Sequence, residues 1–371
     1  RSILIKRKKI DSWFLSHYGL NLYRGCAHNC SYCDGRAEGY YVEGDFARDI
    51  VVKTNAQEVL ARELNPRRRR KPMPRSYMVL GGGVCDVYQP VEKQYGLARQ
   101  ALKLIRDVRM PVHVLTKSTL VERDMDVLRQ IHRQRSAILS FSFSTVDDKL
   151  GKRFEPGVPL PSQRLATLKK FADAGFPTGI FLMPVLPYIT DLAGKMEESM
   201  QQAKEAGAQY VIFGGLTLKA GRQKAHFMKV LEQYNPQLPQ QYEQIYPANN
   251  KYGSAHNAYT QHLHTQFFSV SQAVGMPVRI PPAVYKGTLG EDERIVVMLE
   301  HLDYLYRLRG QKSPYSYAAY CLSQLPQPLR SYNRQKLMQQ QGVGPKAANA
   351  VQEILQHGGC KLYEKMLWDF T

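Results

Sequence analysis

Between residues 20 and 220, short apolar, β-branched runs alternate with longer amphipathic segments, and this rhythm restricts the chain to repeated βα units around a parallel sheet. The pattern predicts strands over 21–24, 77–80, 112–116, 137–142, 178–183 and 210–213. Helices are expected over 55–64, 90–106, 122–134, 161–174 and 192–206. Ala174-Gly175 and Ala206-Gly207 each put a glycine where a helix must stop before the next strand. Six units are fewer than the eight of a closed barrel, so the expected fold is α/β, an open, partial (β/α)6 barrel of the TIM type. After about residue 225 the β signal fades. Helices are predicted there over 255–274, 291–309, 315–325, 335–341 and 346–356, separated by the proline-bearing stretches 277–282 and 326–328. The expected organisation is a core over 1–225 with a basic N-terminal segment, followed by a mainly helical C-terminal domain over 226–371.

Charge narrows the partners. The chain carries 51 Lys and Arg against 32 Asp and Glu, a formal net charge of +19. Such an excess points to a polyanion, nucleic acid first, although an ordinary solvated basic surface would look the same in composition. Residues 1–9 hold five basic side chains, and Arg67, Arg68, Arg69, Arg70 and Lys71 form a block between Pro66 and Pro72. A block of like charges repels itself, so it is expected as an exposed loop able to rest on phosphate. Six cysteines are too sparse for a disulfide-stapled secreted scaffold, and no stretch combines a basic start, an apolar run and a small-residue cleavage site. The apolar run near 180–186 is broken by Pro184 and Pro187, short of a membrane span. These features place the chain in the reducing cytoplasm, away from membrane.

Three of the six cysteines fall in "CAHNCSYC", as Cys26, Cys30 and Cys33. Structural zinc takes four ligands, usually in two pairs, and the nearest remaining cysteine, Cys85, has no CxxC partner. His28 lies between the first two cysteines, but zinc knuckles space their ligands differently. An iron–sulfur cluster held by three thiolates leaves one iron without a protein ligand. That iron can bind the amino and carboxylate groups of S-adenosylmethionine.

The CxxxCxxC spacing, with Tyr32 before the last cysteine and a βα series behind it, resembles the radical S-adenosylmethionine (radical SAM) superfamily. Within it, "NLYRGCAHNCSYC", "CDVYQPVEKQYGLARQ", "VLTKSTLVERDMDVL", "SFSFSTVDDKLGKRFEP" and "RLATLKKFADAGFPTGIFLMPVLP" follow in order like the blocks of the spore photoproduct lyase-like (DNA repair photolyase-like) group, over about residues 16–220. The resemblance implies Cys26, Cys30 and Cys33 as ligands of a [4Fe-4S] cluster, S-adenosylmethionine as cofactor, and a low-potential electron donor such as flavodoxin or ferredoxin. Gly81, Gly82 and Gly83 match the glycine motif beside the methionyl amino group, or form a plain turn. Lys117 and Ser142 match positions suited to the cofactor's carboxylate and ribose. Asp86, Tyr88, Gln89 and Glu92 match a block with a substrate or cofactor role, and Asp86 could equally cap a helix. Glu155 and Arg164 also match, and could simply pair with each other. Two positions depart from the group. Asp34 stands where tyrosine is common after the last cysteine. The hydrogen-atom donor cysteine of spore photoproduct lyase corresponds to Gly83, leaving Cys85 as a displaced candidate donor or a buried structural thiol.

The activity so implied is reductive cleavage of S-adenosylmethionine to a 5'-deoxyadenosyl radical acting on nucleic acid, best matched by repair of a pyrimidine photolesion in DNA. The alternatives are RNA, a peptide or a small metabolite as substrate, or a non-enzymatic, metal-stabilised nucleic-acid-binding protein. A second signal favours DNA. "QGVGPKAANAV" resembles a helix-hairpin-helix element near 335–357, in which Gly342 and Gly344 permit a tight turn, backbone N–H groups can face a phosphate, and Lys346 adds charge. A glycine-capped turn between packed helices is the plainer reading of the same residues. His262 and His264, two apart on a helix, point to different faces and make a poor metal pair.

Overall fold

The computed structural model describes residues 2–40, 42, 44–68, 72–247 and 252–369. Nine strands occur among them: β1 Leu4–Asp11, β2 Ser16–Leu20, β3 Tyr23–Arg24, β4 Val51–Val52, β5 Tyr77–Leu80, β6 Val112–Thr116, β7 Ala137–Phe143, β8 Thr178–Val185 and β9 Val211–Gly215. Seven form one sheet in the order β1-β2-β5-β6-β7-β8-β9, while β3 and β4 make a separate two-stranded ladder. From β2 to β9 every pairing is parallel, so six parallel strands build a half-barrel. This is the partial (β/α)6 architecture expected from the repeat.

β5 and β7 are buried at every residue, as parallel strands covered on both faces must be, which is why they read as continuous apolar runs. Gly175 and Gly207 stop their helices in the left-handed conformation, at φ +84° and +98°. The first strand departs from expectation. Residues 23–24 pair antiparallel with Val51–Val52, and the first parallel strand is Ser16–Leu20. Its "SHYGL" carries no apolar run. Tyr18 and Leu20 still reach the core, and the buried Ser16 hydroxyl lies 2.6 Å from the Tyr77 carbonyl of the neighbouring strand. The basic N-terminal segment forms β1, antiparallel to β2 at the sheet edge, with Lys6 and Lys8 exposed, and edge lysines of this kind block edge-to-edge pairing.

The helices beyond residue 256, notably Asn257–Val274, Glu291–Leu308 and Pro345–His357, share one continuous apolar core with the sheet. Helices Arg222–Tyr234 and Leu238–Ile245 have no counterpart in the sequence reading. They bury Phe227, Leu231 and Tyr242 in a second cluster with Cys30, Tyr32 and Phe154. Among the described residues no helix is long and apolar enough to cross a membrane.

Two buried histidines bridge separate segments, His113 within the sheet region and His301 between the C-terminal helices and the turn before β2. His113 Nδ1 faces the Phe14 carbonyl at 3.3 Å and Nε2 the Ser140 hydroxyl at 2.7 Å, while His301 bridges the Tyr363 hydroxyl and the Ser12 carbonyl. Burial pulls them down to about 4 and about 3. Below pH 6.5 the unfolded chain takes up protons that the folded chain refuses. Their stabilisation is therefore complete above about pH 6.5 and lost as the pH falls toward 4, by about 3 kcal/mol for His113. Urea unfolding across this window should show that slope, and His113→Asn should reduce it while the His301 share remains.

Candidate active site

The chain leaves β3 through Gly25 and enters the cysteine loop. Asn29 takes a left-handed turn at φ +54°, a conformation asparagine tolerates, and short backbone bonds follow, Asn29 N to Cys26 O at 3.2 Å and Cys33 N to Cys30 O at 3.2 Å. The loop is fastened from outside. Gln89 accepts from the Ala27 N–H at 2.9 Å and donates to the Gly25 carbonyl at 3.2 Å. His28 reaches the Gly157 carbonyl and the Asp86 carboxylate, each at 3.1 Å, and Tyr32 donates its hydroxyl to Glu155.

Cys26, Cys30 and Cys33 line one cavity of about 590 Å³ at the strand C-termini, together with Gly81, Gly83, Asp86, Lys117, Ser142, Met183 and Thr217. Burial is the main force on all three thiols. It pushes Cys26 far above the usual thiol range and Cys30 and Cys33 up to about 12, so binding iron must release a proton from each. Among the described residues no three His, Cys, Asp or Glu side chains converge on a point that a single metal ion could fill. Three thiols spread around one cavity fit a multi-iron cluster, in which each binds a different iron.

Two buried carboxylates organise the floor. Asp86 accepts from the Thr116 hydroxyl at 2.9 Å, the Lys117 N–H at 2.7 Å and the Tyr88 N–H at 2.8 Å. Burial pushes its pKa up, but the bond and charge of His28 and these N–H donors outweigh it and hold the group ionised. Glu155 accepts from Lys117 at 2.8 Å, Ser144 at 3.1 Å and Arg164 at 2.5 Å. Burial again opposes the charge, and Arg164 and Lys117 overcome it, holding Glu155 at about 2. Lys117 thus stands in the cavity wall already paired, and Ser142 offers its carbonyl to Arg164 at 2.6 Å and its hydroxyl to the Met183 carbonyl at 3.1 Å.

Of the glycine run, Gly81 and Gly83 face the cavity. Only Gly81 is demanded by the backbone, with φ +88° and a hypothetical Cβ 1.9 Å from the Leu115 carbonyl oxygen, whereas a Cβ on Gly83 would meet nothing within 4 Å. Gly82 turns toward Val79 and Phe14. Gly81→Ala is expected to cost about 3 kcal/mol and Gly83→Ala less than about 0.5, read as denaturant midpoints.

Other anticipated residues lie elsewhere. Tyr88 is fully buried beside Asp124 and Glu92, outside the cavity lining, where it can position but not touch a substrate. Cys85 is also absent from the lining, and its thiol meets the Gly25 backbone near Lys53 and Arg24. Asp34 does line the cavity and pairs with Lys219 at 2.8 Å. Gly342, at φ +73°, and Gly344 open the helix Pro345–His357, with Lys346 exposed in its first turn. Arg67 and Arg68 sit in an exposed 3-10 turn, and Arg69 and Arg70 lie outside the described residues. Trp13, Phe213, Arg279, Tyr304 and Arg307, which the sequence does not mark, complete the cavity wall together with His264, expected only as a poor metal ligand. None stands in a motif, and Arg279 falls in a stretch read only as a proline-rich separator.

Three thiols at the mouth of a half-barrel, fastened by buried carboxylates, define an enzyme class that binds an iron–sulfur cluster at the strand C-termini. Residues 20–203 match the model of the Radical SAM superfamily. The chain belongs to that superfamily, whose enzymes use a [4Fe-4S] cluster and S-adenosylmethionine. An uncharacterized protein of Mycobacterium tuberculosis is 33% identical over 233 residues, 62% of this chain and 67% of the relative. One of Methanocaldococcus jannaschii is 30% identical over 213 residues, 57% and 75%. Among solved structures, a spore photoproduct lyase variant with bound AdoMet and dinucleoside spore photoproduct superposes with a TM-score of 0.51 at 18% identity, covering 72% of this chain and 77% of the other. At that identity the likeness is one of fold.

Proposed function

We propose that this radical SAM enzyme acts on nucleic acid, and that its reaction is repair of a pyrimidine lesion in DNA. The observation carrying the reading is the exposed hairpin of Gly342, Gly344 and Lys346 on a chain with a net charge of +19. N–H groups at such a helix start, beside a lysine, suit a phosphate contact that positions a duplex without reading its sequence. The fold shared with spore photoproduct lyase supports the same substrate class.

Cys26, Cys30 and Cys33 would hold the cluster, which, when reduced with S-adenosylmethionine bound, supplies a 5'-deoxyadenosyl radical able to abstract hydrogen. A low-potential flavodoxin or ferredoxin would provide the electron. The chain's own residues do the rest. Gly81 brings bare backbone to the cavity, and Lys117 and Ser142 present polar groups held by Glu155, Arg164 and Met183. A lesion within a duplex would have to swing out to reach the cavity.

The test is anaerobic incubation of cluster-loaded, reduced enzyme with ultraviolet-irradiated duplex DNA. Lesion loss with 5'-deoxyadenosine formation is expected, as is duplex binding that weakens steeply with salt, with Lys346→Glu reducing the salt slope by about one. Unchanged lesions and salt-insensitive binding would sink the proposal.

A further inference from the structure

Arg279 is 2% exposed and lines the cavity. Among the described residues its guanidinium meets the Val278 carbonyl at 2.9 Å and two ring faces, Tyr304 at 3.2 Å and Trp13 at 5.7 Å, and no carboxylate pairs with it. Arg164, the other deeply buried arginine among the described residues, has Glu155 at 2.5 Å. Burying a cation without a counter-ion is costly, and ring faces return only part of that cost. The fold therefore keeps a charge in the cavity wall that nothing resident neutralises.

Its position indicates what would. The Val211 N–H bonds to the Pro277 carbonyl at 2.9 Å, so the segment bearing Arg279 runs past the start of β9, at the open edge of the half-barrel. Arg279 and the three cysteines line one cavity, the cysteines from the loop after β3 and Arg279 from this segment. Arg307 and His264 share this wall. Arg307 is 65% exposed and tied to Asp303 at 2.8 Å, while burial, then Arg307 and Arg279, keep His264 below its usual range and hence neutral.

We infer that Arg279, with Arg307 beside it, is the subsite that takes a phosphate group of the substrate. The planar fork of arginine matches phosphate oxygens, and a desolvated fork binds them most strongly. This rests on the nucleic-acid reading in one respect, that the phosphate is then a phosphodiester next to the reacting base.

The test uses full-length, cluster-loaded enzyme and the variants Arg279→Met and Arg279→Lys, titrated calorimetrically with inorganic phosphate, the dinucleoside monophosphate TpT and S-adenosylmethionine. Arg279→Met is expected to weaken phosphate and TpT at least about tenfold, and Arg279→Lys by less, since the charge stays and the fork is lost. Iron content and S-adenosylmethionine affinity should match wild type in both, and in Arg279→Met the melting temperature should hold or rise because an unpaired buried charge is gone. Unchanged phosphate and TpT affinity in Arg279→Met overturns the subsite. A fall in S-adenosylmethionine affinity also overturns it, by assigning the guanidinium to the cofactor carboxylate, and a lowered melting temperature in both variants makes it a structural residue. Wild-type enzyme that binds phosphate through Arg279 but ignores TpT keeps the subsite and fails the nucleic-acid reading. Wild-type enzyme that binds duplex DNA, with TpT indifferent to Arg279, does the reverse.

Discussion

Cys30→Ala is expected to abolish 5'-deoxyadenosine formation and to strip most of the iron from anaerobically reconstituted enzyme. The thiol stands in a cavity shared with Cys26 and Cys33, and among the described residues the fourth cysteine nearby, Cys85, does not line that cavity and is poorly placed to substitute. Losing one of three ligands leaves a second iron without a protein thiolate. Cys26→Ala and Cys33→Ala should behave alike, and Cys85→Ala should keep the wild-type iron and acid-labile sulfide. Iron and sulfide assays beside chromatographic product detection read both halves. A Cys30→Ala protein that still forms 5'-deoxyadenosine would refute the ligand assignment, and a Cys85→Ala protein that loses iron would add Cys85 to the set.

The second large effect is on stability. Arg164 and Glu155 are both 0% exposed and meet at 2.5 Å. Removing one partner of such a pair costs about 3–5 kcal/mol, because the other charge stays buried without compensation. The two sides are unequal here. Arg164→Met leaves Glu155 with Lys117 at 2.8 Å and with Ser144, whereas Glu155→Gln leaves two cations facing a neutral amide. Glu155→Gln should therefore lie at the upper end of that range and Arg164→Met at the lower, and the double variant should cost less than their sum. Urea midpoints of the four proteins decide it. Equal and additive losses would mean that the pair acts through packing alone. Because Glu155 also receives the Tyr32 hydroxyl, loss of its charge should loosen the cysteine loop and slow cluster loading.

The half-barrel was legible because its strands are buried on both faces, so residues such as Tyr77–Leu80 and Val112–Thr116 show as apolar runs closed by turn residues. β1 and β2 escaped the same reading. β1 is an edge strand with lysine and arginine outward beside an exposed Ile5, and β2 has no continuous apolar run, burying Tyr18 and Leu20 while the Ser16 hydroxyl bonds to the neighbouring strand. The carboxylate block was visible as a motif but not as a structure. Asp86 and Gln89 prove to clamp the loop that carries the cysteines, and Glu92 accepts from the Tyr23 hydroxyl.

By itself the sequence determined the sheet's repeat, the three thiols and their spacing, because each depends on residues near one another in the chain. Tertiary structure alone decided which groups face the thiols across the cavity. Trp13, His264, Arg279 and Arg307 come from a turn, two helices and a proline-bearing connection, brought together only when the C-terminal helices pack against the open edge of the sheet. Local pattern carries no signal of such a meeting. The charge that Arg279 leaves unneutralised becomes visible only once the fold has removed it from water.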